Sequence, residues 1–195
     1  MPFWSTNFGQ DATLKDPKRK HRFTVEFQGI NAAQGGALLW YAKTATKPGF
    51  TVNAAEHKYL GHTFYYPGNV TWEQVTVTLV DPVDPDVTAT FADIVTASGY
   101  TPPTDANSLG TVSKAKATGA LGNVLITQLD GDGNPVETWT LWNAFVTSMK
   151  QDDLDYTSDE LATTTIELRF DWARVETLNN SSAVNGSGGN SFFNV

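Results

Sequence analysis

The residues that come nearest to a metal-binding motif lie within one short polar segment. Asp130, Asp132 and Asn134 have the alternate spacing that opens an EF-hand calcium loop, where side-chain oxygens ligate the ion. The rest of that motif is missing, because Pro135 occupies the position that needs glycine and Leu141 the position that needs a bidentate glutamate. Asp-Gly steps favour tight hairpins, so the segment predicts a turn between two strands and no metal ion.

Histidine offers a second route to a metal site, through His21, His57 and His62. The last two would share an ion only if a hairpin brought them together, with a carboxylate such as Glu56 completing the ligand set. Surface histidines on an extended loop are the favoured interpretation. The sequence has no cysteine, which excludes thiolate nucleophiles, disulfides and cysteine-ligated zinc. We therefore expect neither a metal ion nor a cofactor.

A cluster of acidic residues raises the question of acid–base catalysis. Its members are Asp152, Asp153, Asp155, Asp159 and Glu160. Carboxylates that hydrolyse glycosides lie on opposing elements of a cleft, whereas a run of this kind in a turn is usually a solvated loop. The sequence also lacks a Gly-x-Ser-x-Gly elbow, a phosphate-binding glycine-rich loop and a His-Glu-x-x-His motif. These observations predict no catalytic residue and a protein that is not an enzyme.

Charge is distributed unevenly along the chain, whose formal net charge is −8. Residues 1–60 carry eight basic and four acidic side chains, a net +4, and the remainder carries −12. Lys18, Arg19 and Lys20 lie downstream of several aromatic residues, a combination found in nucleic-acid-binding segments. The acidic remainder would repel phosphate, so we favour an arm that lies on the acidic surface of a neighbouring, identical subunit. The alternative is that these charges only keep the protein soluble.

Alternation of apolar and polar residues predicts a mainly β protein. The longest alternating run extends from Thr165 to Trp172, and we interpret it as one half-buried strand. Glu73 to Leu79 alternates in the same way. Further strands are predicted at 21–28, 38–46, 124–129 and 136–146. Many strands beside a single helical pattern indicate two packed antiparallel sheets, as a sandwich or a barrel, with one helix.

The predicted helix lies between residues 84 and 99. Asp84 is its expected N-cap, Pro85 its first residue and Gly99 its left-handed C-terminal residue. An apolar stripe for packing on the sheets is formed by Val87, Phe91, Ile94 and Val95. Residues 100–122 are rich in Thr, Pro, Gly and Ser and are predicted as a long loop.

Residues 47–68 combine aromatic side chains with Pro and Gly breakers, which predicts a hairpin or extended loop outside the core. The segment holds more aromatic surface than a free loop leaves in water, so we interpret it as an element that reaches a neighbouring subunit, either beside it or in the next layer of an assembly. The predicted inter-subunit contacts are Phe50, Tyr59, Phe64, Tyr65 and Tyr66, with Lys18, Arg19 and Lys20 of the basic arm.

The order of these features along the chain predicts three parts. Residues 1–20 form an N-terminal arm, 21–178 a single β-domain and 179–195 a flexible tail of linker composition. The N-terminal residues lack an apolar run, which predicts no secretory signal. No segment has the length and hydropathy of a membrane span, so we expect no membrane association.

Three blocks of sequence resemble one family when taken in order. LWNAFVTSMKQDDLDYTSDELATTTIELRFDWARVE at 141–176 joins a Trp-rich strand end to an acidic turn and a closing strand. GNVTWEQVTVTLVDPVDPDVTATFADIVTASG at 68–99 leads from a strand into a helix. HRFTVEFQGI at 21–30 is followed by LLWYAKTATKPG at 38–49. Together the blocks resemble the tail tube proteins of contractile-tailed phages, a family related to the tube proteins of type VI secretion systems.

The resemblance implies a structural subunit of a phage tail tube. In that family six copies close a ring, rings stack into a hollow tube, and DNA passes through the lumen without specific binding. Expected partners are further copies of the chain and the tail sheath, baseplate and tail terminator proteins. The expected location is the tail of the virion, after synthesis in the host cytoplasm.

The tube architecture also implies a lumen of definite size. If each subunit contributes about four strands, about 24 strands spaced ~4.8 Å and tilted ~40° give a backbone diameter of about 48 Å. A bore lined by short polar and acidic side chains would repel phosphate and let DNA slide. The candidates for this lining are Gln74, Thr76, Thr78, Thr165 and Glu167.

Two alternative functions remain open at this stage. The first, also an assembly function, is a baseplate tube initiator or adaptor, or a secreted tube of the type VI kind. The second belongs to a different class, a carbohydrate-binding β-module that uses the aromatic residues Trp40, Tyr41, Tyr65, Tyr66 and Trp72. Assembly state discriminates between the classes, because a carbohydrate module stays monomeric and a tube protein forms rings.

Overall fold

The computed structural model describes residues 17–30, 42–84, 86–104, 110–177 and 191–193. Its strands are β1 (Phe23–Phe27), β2 (Ala42–Ala45), β3 (Phe50–Tyr59), β4 (His62–Trp72), β5 (Val75–Val80), β6 (Val124–Leu129), β7 (Pro135–Trp142), β8 (Phe145–Gln151), β9 (Thr163–Arg169), β10 (Trp172–Thr177) and β11 (Ser191–Phe192). Its helices are α1 (Val87–Ala97) and α2 (Lys114–Leu121). The prediction of a mainly β protein is confirmed.

Two antiparallel sheets form the body of the molecule. One has five strands in the order β1-β6-β7-β10-β11, and the other has four in the order β2-β5-β9-β8. The alternation read from the sequence sets which face of the four-stranded sheet is buried, because Val75, Val77 and Leu79 are buried and lie opposite Leu168, Ile166 and Thr164 of β9. The two sheets therefore bury one apolar face each.

A single hydrophobic core lies between the sheets and is closed by α1. Val25 and Phe27 of β1, Val124 and Ile126 of β6 and Leu141 of β7 provide the buried face of the five-stranded sheet. Phe91 of α1 is fully buried against it, and its ring meets the ring of Phe27 edge-on with the centroids 5.7 Å apart. Such contacts explain how a chain without disulfides holds its two sheets together.

The helix at 87–97 begins two residues later than predicted. Asp86, and not Asp84, is the N-cap, and its carboxylate accepts a hydrogen bond of 2.8 Å from the backbone N–H of Ala89. The helix ends at Ala97, and Gly99 has a φ of +100°, the left-handed conformation expected for it. The predicted apolar stripe is buried at Val87, Phe91 and Ile94, while Val95 is exposed.

The prediction of a single helix is wrong, because part of the expected loop 100–122 folds as α2. Ser113 caps α2 by accepting a hydrogen bond from the N–H of Lys116, and Leu121 buries its side chain completely at the last turn. Gly122 ends the helix with a φ of +68°, and a Cβ there would lie 2.4 Å from the backbone nitrogen of Gly29. This close approach joins α2 to the end of β1.

The predicted single strand from Thr165 to Trp172 is also wrong. It divides at Phe170-Asp171 into β9, which belongs to the four-stranded sheet, and β10, which belongs to the five-stranded sheet. The Asp171 carboxylate accepts hydrogen bonds from the ammonium of Lys114 and the side-chain amide of Asn143, 2.8 Å and 2.9 Å long. These bonds hold the corner at which the chain crosses between sheets and lower the pKa of Asp171.

Strands β3 and β4 form a third, two-stranded sheet that pairs with neither of the others. Residue pairs run from Phe50 opposite Trp72 at the base to Tyr59 opposite His62 at the tip, with an irregularity between Val52 and Ala54. Every residue from 50 to 71 is exposed. The prediction of a hairpin outside the core is therefore confirmed. No helix in the described part of the chain is both long and apolar enough to cross a membrane.

Candidate functional site

The polar residues predicted from the sequence to line the lumen lie on the outward face of the four-stranded sheet. Thr76 lies opposite Glu167, and Thr78 lies opposite Thr165 with their hydroxyl oxygens 3.4 Å apart. At the end of the same face, the Gln74 side-chain amide donates to the Thr147 hydroxyl at 3.5 Å. The five candidates thus share one polar surface, which the neighbouring strands extend with Thr44, Thr46, Ser148 and Lys150.

The two outer strands of this sheet, β2 and β8, have one partner each among the described residues. Strand β2 is continued beyond its end by Thr46, whose backbone N–H donates to the Thr76 carbonyl at 2.9 Å and whose hydroxyl accepts from the Thr76 N–H at 2.8 Å. Strand β8 pairs with β9 along its length, with an irregularity between Val146 and Ser148. Both edges present backbone groups to a further strand.

The hairpin β3–β4 has one face that is much more aromatic than the other. The strand register places Tyr59, Phe64 and Tyr66 on one face, while Tyr65 lies on the opposite face beside Glu56. The side chains of all four aromatic residues are about half exposed or more, and Tyr65 reaches 65%. This is an unusually large aromatic surface to be exposed to solvent.

The predicted contact residue Phe50 lies at the base of the hairpin and has partners within its own chain. Its ring centroid is 5.4 Å from that of Trp72 and 5.7 Å from that of Phe193. Trp72 in turn contacts Phe170 with the centroids 5.8 Å apart. The cluster anchors the exposed hairpin to the core, and Phe50 itself stays 45% exposed, so its contact with another subunit stays a prediction.

The two histidines of the hairpin do come together on one face, since His57 lies opposite Phe64 and His62 opposite Tyr59. Glu56 belongs to the other face. No group of three or more His, Cys, Asp or Glu suited to a metal ion is present in the part of the chain that the structure describes.

The calcium-like segment folds as the turn between β6 and β7. The Asp130 carboxylate accepts hydrogen bonds from the N–H groups of Asn134 and Asp132, at 2.8 Å and 2.9 Å, and Gly133 has a φ of +86°. Hydrogen bonds from Asn134 are the main reason that the pKa of Asp130 is lowered. The oxygens that would ligate an ion instead close the turn.

Lys18 of the basic arm is exposed but has ionic contacts within its own chain. Its ammonium forms an ion pair with the carboxylate of Glu137, and Lys47 donates to the same carboxylate at 2.6 Å. The Trp139 indole N–H also donates to Glu137 at 2.6 Å, and Lys47 donates to the Gln128 amide oxygen at 2.6 Å. The arm is held further by the Gln128 amide, which donates to the Arg19 carbonyl at 3.1 Å.

Glu137 is the centre of this polar cluster and is only 9% exposed. Burial alone would raise the pKa of its carboxyl group, but hydrogen bonds from Lys18, Lys47 and Trp139 outweigh burial and lower the pKa to about 2. Glu137 was not among the residues predicted from the sequence. The signal was present, because Glu137 has the same parity along β7 as the inward-facing Trp139 and Leu141.

The remaining predicted residues either lie outside the described part of the chain or belong to the acidic loop. Trp40, Tyr41, residues 1–16 and residues 178–190 lie outside the described residues. The acidic residues 152–160 form an exposed loop between β8 and β9, in which Asp155 accepts a 2.9 Å hydrogen bond from the Thr157 N–H. That bond is the main cause of the lowered pKa of Asp155.

Comparison with known proteins gives one family and one fold. The family model described as "T4-like virus tail tube protein gp19" matches residues 19–173. No curated protein matches the chain. A chain from the sheath–tube complex of an extracellular contractile injection system is 20% identical, with a TM-score of 0.61 over 89% of this chain and 100% of that one.

Two further solved structures are similar to the same extent. A chain from the structure of the tube-terminating cap of the anti-feeding prophage is 21% identical, with a TM-score of 0.61 over 86% of this chain and 96% of that one. Its baseplate contains a chain that is 20% identical, with a TM-score of 0.58 over 83% of this chain and 96% of that one. At these identities the structures show a shared fold, and they come from a sheath–tube complex, a tube-terminating cap and a baseplate.

Proposed function

Because the chain belongs to the T4-like virus tail tube protein gp19 family, we propose that it is the repeating subunit of a tail tube. Six copies close into a ring, rings stack into a hollow tube, and DNA passes through the lumen during ejection without specific binding. The tail sheath, baseplate and terminator are its partners in the virion. The protein has a structural role and is not an enzyme.

The observation that carries this proposal is the four-stranded sheet with its two outer strands. An edge strand offers a row of unpaired N–H and C=O groups, which natural proteins protect by covering or pairing. Strands β2 and β8 lie at opposite edges of one sheet, so β8 of one copy can pair with β2 of the next around a ring. Closure of the ring makes one continuous barrel and removes every edge of this sheet.

The polar face of the sheet suits the inside of that barrel. Its central residues are the hydroxyl-bearing Thr76, Thr78 and Thr165, with Glu167 and Lys150 as neighbouring side chains of opposite charge. DNA binding requires several cationic contacts that follow the phosphates, and a short hydroxyl surface of balanced charge supplies no such track. A barrel of about 24 strands has a backbone diameter of about 48 Å, wide enough for a DNA duplex.

The position of the lining can be tested by labelling a single cysteine, since the natural chain has none. We expect Thr78→Cys in assembled tubes to react with a small maleimide and to be protected from a maleimide carried on a globular protein. Unassembled subunits of the same variant are the control, and they should react with both reagents. Equal reaction of assembled tubes with the protein-linked maleimide would place this face outside the tube.

A second assembly function fits the same fold, because the cap and baseplate chains are as similar as the tube chain. An initiator or adaptor, or a tube of the type VI kind, also forms rings. An initiator or adaptor would stop at one or a few layers, whereas a tube subunit grows without a fixed limit. The length distribution of purified assemblies separates an initiator or adaptor from a tube subunit.

The carbohydrate-binding alternative predicts a different result. Tyr65, Tyr66 and Trp72 are at least partly exposed, but Trp72 packs within the aromatic cluster at the base of the hairpin. A carbohydrate module would stay monomeric at every concentration and would be retained on a polysaccharide column. We expect assembly and no retention.

A further inference from the structure

A cavity of about 720 Å³ opens beside the edge strand β2, between that strand and the start of β1. Phe23, Ala45 and Ile126 provide apolar surface within it. Its other lining includes the side chains of four lysines and one histidine: Lys18, Lys20, Lys43, Lys47 and His21. None of the described residues that line it is acidic.

The charges of this cavity are only partly balanced within the chain. Lys18 and Lys47 share the single carboxylate of Glu137, which lies behind the cavity and is almost fully buried. Lys20 is exposed, and Lys43 is exposed on the irregular part of β2, where it also interacts electrostatically with Asp152 of its own chain. The cavity is therefore a site for an anionic group with apolar neighbours.

The acidic loop, residues 152–162, has the complementary composition. It carries Asp153, Asp159 and Glu160 as exposed acids. It also exposes three large apolar side chains, Leu154, Tyr156 and Leu161, at 92%, 110% and 71%. Exposed apolar side chains interleaved with acids are typical of a segment that becomes buried against a basic surface with apolar pockets.

The sheet topology brings these two features to one seam if the proposed ring forms. The acidic loop follows the edge strand β8, and the cavity adjoins the other edge strand, β2. Strand β8 leads into the loop at the same end of the sheet at which β2 begins, since both flank the Val80 and Thr163 ends of β5 and β9. A loop of eleven residues folded back on itself reaches roughly 15 Å, enough to cross one strand and enter the cavity.

We propose that the acidic loop of one copy docks in the lysine-lined cavity of the next copy around the ring. This inference rests on the proposed tube function. It adds a contact that determines which edge strand of one subunit meets which edge strand of the next. The interface is heterologous, because the loop and the cavity are different surfaces of the same chain. It is also an ionic latch, which steers each β8 edge towards a β2 edge and away from a second β8 edge.

The first test reverses charge on the loop and then on the cavity. Asp153→Lys/Asp159→Lys/Glu160→Lys avoids Asp152 and Asp155, whose side chains hold the loop through Thr163 and Thr157. We expect it to raise the concentration needed for ring formation about tenfold or more, because like charges then meet across the seam. Lys20→Glu/Lys43→Glu should have the same effect, and the five changes combined should restore assembly.

The matched control is Asp84→Lys/Asp93→Lys/Asp132→Lys, which changes net charge equally at exposed sites outside both the acidic loop and the cavity lining. All variants are compared by thermal unfolding, so that loss of folding is recognised. Normal assembly of the loop variant, or a failure of the combined variant to recover while it remains folded, would overturn the latch.

A second test detects the contact directly by disulfide formation, since the natural chain has no cysteine. A chain with Leu154→Cys and Lys20→Cys should give, on mild oxidation, a ladder of crosslinked species that ends at the number of subunits in the ring. Either single variant alone should give only monomer and dimer. Absence of the ladder in rings seen by microscopy would overturn the latch while leaving the tube function intact, whereas absence of any rings from the natural chain would overturn the tube function itself.

Discussion

Glu137 illustrates how much a single inward-facing charge depends on its neighbours. The carboxylate is almost fully buried, and Lys18, Lys47 and Trp139 all donate to it. Alternation along β7 places it inward, so its burial was predictable from the sequence. Its partners were not, because Lys18 and Lys47 are distant in sequence and reach it only after the sheets have packed.

The first prediction concerns the acid stability that Glu137 provides. Its pKa falls from 4.5 in the unfolded chain to about 2 in the folded one. The ionised form thus stabilises the fold above the unfolded pKa, and this contribution is lost as the pH falls from about 4.5 towards 2. Chemical denaturation should show the free energy of unfolding of Glu137→Gln to be less dependent on pH over this interval than that of the natural chain.

At neutral pH we expect Glu137→Gln to lower the free energy of unfolding by about 2 kcal/mol, because two lysines lose their charged acceptor. The control is Glu176→Gln, since Glu176 pairs with Arg174 at the surface and its loss should cost well under about 1 kcal/mol. Equal effects of the two substitutions would contradict the role assigned to Glu137.

At the scale of elements, the sequence predicted the strands and turns that have a clear local pattern of residues. It missed the elements whose position depends on contacts with distant parts of the chain. The alternation of Val75, Val77 and Leu79 predicted β5 correctly, and the breakers within 47–68 predicted an excluded hairpin. Helix α2 was missed because KAKATGAL has little apolar periodicity and contains Gly119. The division of β9 from β10 was missed because the alternation continues through it, while bonds from Lys114 and Asn143 to Asp171 turn the chain.

The second prediction assigns inter-ring contact to the aromatic face of the hairpin. Tyr59→Ala/Phe64→Ala/Tyr66→Ala should leave the thermal transition of the isolated subunit nearly unchanged, because these side chains lie outside the core. It should abolish growth beyond short assemblies, since a buried aromatic anchor typically contributes ~2 kcal/mol or more to an interface. Assembly is measured by sedimentation and negative-stain microscopy.

The opposite face of the same hairpin provides the control. Glu56→Ala/Lys58→Ala/Thr63→Ala changes three residues that the register places there, and tubes should form as before. Replacing residues 54–67 by a short Gly/Ser turn keeps the anchor of Phe50 on Trp72 and should give a folded subunit that does not form tubes. Unfolding of that variant would mean that the hairpin is part of the core.

At the scale of the whole molecule, the two ends of the four-stranded sheet carry different exposed elements. The hairpin leaves the four-stranded sheet at the Val75 end of β5, and the acidic loop leaves it at the Val80 end. The chain is also divided into a basic first part and an acidic remainder. A subunit with different surfaces at its two ends is suited to head-to-tail stacking.

The third prediction follows from this charge division. The Debye length falls from ~10 Å at 0.1 M salt to ~3 Å at 1 M, so exposed charges on facing subunits attract each other less as salt is added. We expect tube growth, followed by light scattering, to become slower over this range. A growth rate that is the same at both salt concentrations would contradict an electrostatic contribution.

The central claim is that the polar four-stranded sheets of several copies join edge to edge around a bore. The most direct measurement is negative-stain microscopy of the purified natural chain over a range of concentrations, with averaging of end-on and side views. We expect six-fold rings that stack into tubes, with a central bore whose diameter is smaller than the backbone diameter of the barrel, about 48 Å. A population that stays monomeric at all concentrations, or closed particles without a central bore, would contradict it.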